Sequence, residues 1–150
     1  MQIARRYVSN CLALALLTVG VSCFPIKSSL KVAGDIRVGD VVQTQCTIDI
    51  VEDRDGKRLV PPIVDANKLP SATQRVGEIP RGTRLRVVRI TQYTYPDNDS
   101  TSVFVRRLGD NGSPMGERMG IYSLLEHPNT ELTGVRAYRL RNDFLLRRDR

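Results

Sequence analysis

VGEIPRGTRLRVVRI, residues 76–90, is the stretch that decides the fold. Pro80 and Gly82 punctuate it. Proline presets φ for one corner of a turn and glycine accepts a left-handed corner, so the stretch reads as strand end, tight turn, strand. Beyond the turn, simple alternation fails, because Leu85, Val87, Val88 and Ile90 cannot share one face at a period of two. One extra residue at Val87/Val88 restores the pattern. Leu85 and Ile90 then point inward, and Arg84, Arg86 and Arg89 point outward.

Working outward, residues 41–51 alternate cleanly: Val42, Cys46, Ile48 and Ile50 on one face, Gln43, Gln45, Thr47 and Asp49 on the other. This run stops at Asp55-Gly56, a strong turn signal. The run 58–60 meets Pro61-Pro62, which confines it to an edge or ends it. Residues 65–76 read as a long loop, and the turn at 96–99 leads to a strand over 102–106. The glycine-rich residues 109–120 read as a flexible connector, lacking the Lys-Ser/Thr of a phosphate-binding loop. Strands are then expected over 121–125 and 135–140. The end, NDFLLRRDR, reads as a short helix or a fraying strand. No segment holds a helical stripe for three turns, so the class is all-β: a single small barrel or sandwich over residues 36–150.

The segment GEIPRGTRLRVVRI resembles the central turn and strand of bacterial SH3-like domains, in which an apolar residue, a glycine turn and an alternating strand recur. Where that family closes on a Gly-Trp-Val-like segment, this chain has Gly120-Ile121-Tyr122. The resemblance covers about fifteen residues. It implies a binding module rather than an enzyme, and it transfers no ligand contacts.

The N-terminus carries an address. MQIARRYVSN holds Arg5 and Arg6 and no acid, and CLALALLTVGV, eleven residues, holds no charge. That is the charged region and apolar region of an export signal, too short for a spanning helix of roughly 20 residues. Gly20-Val21-Ser22-Cys23 resembles the lipobox of bacterial lipoproteins, with Gly20 where that family usually has leucine. The resemblance implies cleavage after Ser22 and lipidation at Cys23. Residues 1–22 are then the signal peptide and residues 23–35 a lipidated tether, which places the domain in the periplasm or at the cell surface. Two or three acyl chains anchor firmly, since each buried methylene contributes about 0.8 kcal/mol. The alternative is ordinary cleavage, leaving Cys23 free for a disulfide to Cys46. An inward-facing Cys46 reads instead as a small core hydrophobe.

Chemistry-bearing clusters are scarce. His127 is the one histidine and precedes Pro128 in a turn-like sequence. Structural zinc needs four Cys or His ligands, and no metal or other cofactor is implied. Glu52, Asp53 and Asp55, and likewise Asp97 and Asp99, sit where hairpin turns need such residues. No tryptophan is present, and aromatic residues make up 5%, which disfavours sugar platforms and base stacking.

The chain is basic, with a net charge of +7 that stays positive once Arg5 and Arg6 leave with the leader. Arg81, Arg84, Arg86 and Arg89 lie in one turn and strand, and Arg106 and Arg107 in the next. Arg139, Arg141, Arg147, Arg148 and Arg150 lie near the end, and Tyr93 and Tyr95 stand beside the region. Brought together, these arginines form a basic face suited to carboxylate or phosphate groups. The expectation is a non-catalytic envelope lipoprotein that binds the membrane through its lipid anchor and an envelope protein or cell-wall polymer through its domain. Nucleic acid is not an expected partner. The competing class is an inhibitor or immunity-type protein that blocks a partner enzyme with a loop.

Overall fold

A computed structural model describes residues 25–65, 67, 69–94, 99–126 and 138–148. The strands are β1 (Ile26–Leu30), β2 (Val32–Ala33), β3 (Ile36–Arg37), β4 (Val41–Thr44), β5 (Ile48–Asp53), β6 (Gly56–Val60), β7 (Gln74–Ile79), β8 (Arg84–Thr94), β9 (Asp99–Leu108), β10 (Pro114–Gly120), β11 (Leu125–Glu126), β12 (Arg139–Leu140) and β13 (Leu145–Arg148). A 3-10 turn, Tyr122–Leu124, lies between β10 and β11. The domain is all-β. Its main sheet runs β13-β4-β8-β9-β10-β6-β5-β7, with β1 also on β8, and curls into a half-barrel.

The turn expected from Pro80 and Gly82 forms and closes the curl. Thr83 N donates to Pro80 O at 3.3 Å, and Gly82 sits at φ 86°, as a type II turn requires. Buried Thr44 staples this turn to β4. Its hydroxyl donates to Pro80 O at 2.8 Å and accepts from Thr83 N at 3.0 Å, and its backbone exchanges bonds with Gly82 and Thr83. The chain leaving β7 is thereby held against β4.

The bulge also forms. In the β8–β9 ladder Val87 faces Val105 and Arg89 faces Phe104, so Val88 is the extra residue. Leu85, Val87 and Ile90 all enter the core, together with Val42, Ile48, Leu59, Ile79, Val103, Val105, Ile121 and Leu145.

Elsewhere the structure departs from expectation. Residues 26–30, expected to be tether, are β1, paired antiparallel with the second half of β8. IKSSL buries only Leu30 partly, so the strand is held by main-chain bonds and leaves no hydrophobic alternation to read. The 109–120 connector is a tight turn plus β10, on the free edge of β9. The expected 121–125 strand is mostly the 3-10 turn, which buries Leu124. The C-terminal segment is a strand: Leu145 faces Thr44 and Arg148 faces Val41. Asp49, expected outward and solvated, is buried with Val51. It accepts from Ile63 N at 2.7 Å and Arg75 Nε at 2.7 Å, so that outer surface is covered. The run 41–51 is bent at 45–47 into β4 and β5, and Cys46 there is a half-buried free thiol packed against the core.

Candidate functional site

Directly opposed residues in a sheet share a face, so the registers place the arginines without ambiguity. One row crosses four strands: Arg148, Val41, Arg86, Arg106. Next to it Arg84 lies opposite Gln43, and Arg148 Nε donates to the Gln43 amide oxygen at 2.6 Å. Beyond the bulge Arg89 stays on this outer face, opposite Phe104, and its Nε donates to Thr91 Oγ1 at 3.1 Å. Arg118 of β10 lies over the Phe104 ring at 4.9 Å from its centroid. At the far end Lys27 of β1 faces Tyr93 and stands 5.5 Å from the ring centroid. The strip from Arg84 to Tyr93 is about 30 Å long at the usual strand rise.

The remaining expected residues separate from this face. Arg81 is exposed at the tip of the 80–83 turn, beside Gln43, whose amide donates to Gly82 O at 2.9 Å. Arg107 opposes buried Leu85 and so belongs to the inner side of the sheet. There it donates to Glu78 O at 3.0 Å and lines a groove of about 270 Å³ with Ile50, Lys57, Met115, Glu117 and Met119. Arg139 and Arg141 lie on and just after β12, with Arg141 paired to Asp143. Arg147 turns to Asp35 and to buried Asp40, at 3.4 Å from the latter. Cys23, Tyr95, Asp97, His127 and Arg150 lie outside the described residues, as does the side chain of Asp99. Arg118, Phe104 and Lys27 are not legible in the sequence as members of the face, since only strand register brings them there.

Several cations elsewhere on the surface are held by carboxylates. Arg75, hydrogen-bonded to and attracted by Asp49, titrates above its ordinary range. Lys57 does the same through its hydrogen bond to and attraction by Glu117, and Arg58 pairs with Asp53. Among the described residues, no carboxylate pairs with Arg84, Arg86, Arg89, Arg106, Arg118 or Arg148. Arg86 Nε is buried with no hydrogen-bond partner, and Arg86 and Arg106 are directly opposed in the ladder. Like charges so placed cost roughly 0.2–1 kcal/mol. Arg106→Glu is therefore expected to raise the urea midpoint slightly, by about 0.5 kcal/mol in stability. A lower midpoint would mean that the pair is not repulsive.

The acid-rich turn after β5 is internally satisfied. Asp53 accepts from Asp55 N at 2.8 Å and pairs with Arg58. Among the described residues no three Cys, His, Asp or Glu side chains gather as a metal site, and no helix is long and apolar enough to cross a membrane. Comparison with known proteins finds no matching family model, no matching curated protein and no matching solved structure.

Proposed function

We propose that the chain is an exported bacterial envelope lipoprotein, held by acyl groups on Cys23, whose single β-domain acts by binding and not by catalysis. The observation that carries this reading is the outer face of β13, β4, β8, β9 and β10, a one-sign surface whose arginines have no acidic partners among the described residues. Unpaired guanidinium groups at fixed spacing suit anionic groups on something other than this chain. An SH3-like assignment of the barrel is supported by the glycine turn feeding bulged β8.

The anchor is tested by substitution. Full-length chain carrying Cys23→Ser is expected to leave the membrane fraction under high salt and carbonate, while the unsubstituted chain stays. Retention of the substituted chain through both washes would show an attachment other than the thiol.

A further inference from the structure

We propose that the outer face of β13, β4, β8, β9 and β10 is a membrane-docking surface that lays its arginines on the phosphate groups of anionic lipid headgroups. This rests on the reading of Cys23 as the acylated residue. It adds which way the domain faces once anchored.

The chain enters the sheet close in sequence to Cys23. β1 begins at Ile26, opposite Thr94 at the end of β8. From Cys23 to Ile26 is three residues, a reach of at most about 11 Å even when fully extended. The 23–35 segment therefore is not a long flexible leash. The domain is held at the corner where β1 meets the end of β8, and a side of the barrel next to that corner must lie along the bilayer.

Charge selects the side. The outer face runs directly from this corner: Lys27 and Tyr93 first, then Arg89 and Arg118 around Phe104, then Arg86, Arg106, Arg84 and Arg148. Its apolar members fit the interface as well. Tyr93 and Phe104 are half-buried rings, and Leu146 is 38% exposed. Cations interspersed with aromatic and aliphatic side chains suit the headgroup boundary of an anionic bilayer. The β5–β7 part of the sheet instead mixes signs, with Glu52, Asp53, Asp55 and Glu78 beside Arg54, Lys57, Arg58 and Arg75. Turning that side down would bring acids as well as bases to the lipid phosphates.

The β8–β9 ladder adds a local reason. Arg86 and Arg106 face each other across the ladder. A phosphate diester between the two guanidinium groups would screen the repulsion. A neutral surface would not.

The test uses the full-length acylated protein reconstituted into vesicles that contain phosphatidylglycerol with a photoreactive group in its headgroup. Labelled peptides are then mapped by mass spectrometry. The expected result is labelling of β8 and β9 together with the N-terminal peptide, and no labelling of β5 or β6. The triple variant Arg84→Gln/Arg86→Gln/Arg106→Gln is expected to weaken the docking equilibrium by about 100-fold, read as at least a tenfold loss of β8–β9 label. Its N-terminal label should persist. A variant of matched charge, Lys31→Gln/Arg37→Gln/Arg54→Gln, is expected to label like the parent, and circular dichroism checks that both variants fold. Labelling confined to the N-terminal peptide would overturn docking while leaving the anchor intact, since the face would then look away from the bilayer toward a wall polymer or protein. Equal β8–β9 labelling of parent and triple variant would also overturn it. Loss of the N-terminal label in every variant would instead remove the acyl anchor itself.

Discussion

Gly34→Ala is expected to cost about 3 kcal/mol of folding stability and to loosen the packing of residues 138–148 against the barrel. Gly34 sits at φ 62°, a conformation that costs an L-residue roughly 1–2 kcal/mol. A Cβ there would lie 2.4 Å from Tyr138 O and 2.5 Å from Tyr138 N. Those are backbone atoms, so relief requires moving the chain that carries buried Tyr138 and Leu140 and, just beyond, Leu145 of β13. The contact is also bonded, because Asp35 N donates to Tyr138 O at 3.3 Å. Hydrogen exchange should show β12 and β13 losing protection before β8 and β9. Gly77→Ala is the control. Its nearest neighbour is Ile50 Cδ1 at 3.7 Å, an ordinary contact, so a change within about 0.5 kcal/mol is expected. Equal effects of the two substitutions would contradict the close approach at Gly34.

Leu85→Ala is expected to cost about 2–5 kcal/mol by guanidinium denaturation, the range for a large buried aliphatic side chain. Leu85 is fully buried on β8, opposite Val42 of β4. The bulge at Val88 is what allows Leu85 before it and Ile90 after it to reach the same interior. Small domains hold only about 5–15 kcal/mol in total, so this one truncation removes a large part. Ile50→Ala should cost far less, about 1 kcal/mol, because Ile50 is half-buried at the groove beside Met115 and Met119. If the two cost the same, the placement of Leu85 at the centre and Ile50 at the rim is wrong.

These residues also show how far the sequence alone carries. The 80–83 turn and the bulge are readable because both are local: a proline, a glycine and a break in alternation within a few residues. The outward direction of Arg84, Arg86 and Arg89 follows from them. Alternation puts Asp49 in solvent, yet what covers it comes from Ile63 and Arg75, 14 and 26 residues away. β1 and β10 escape a pattern reading because strands held by main-chain pairing bury little and carry no hydrophobic period. The Arg86–Arg106 opposition needs the β8–β9 register, which no single strand encodes. The face is thus half visible in the sequence, as a set of arginines. Register then moves Arg107 to the inner side and adds Arg118 and Lys27 to the outer.

Under the proposed docking, the opposed Arg86–Arg106 pair links stability to binding. Arg106→Glu should steady the isolated domain while weakening its hold on an anionic surface, a trade-off found where binding requires strain. A stabilised variant that docks as well as the parent would separate the two properties.

In the proposed reading, membrane proximity depends on the chemistry at one thiol, that of Cys23. Intact-mass measurement of the protein extracted from membranes of its native cell tests it most directly. The account predicts a chain that begins at Cys23 and carries the added mass of a diacylglycerol, with or without a further acyl group. A mature chain of unmodified mass, or one still carrying residues 1–22, would contradict it.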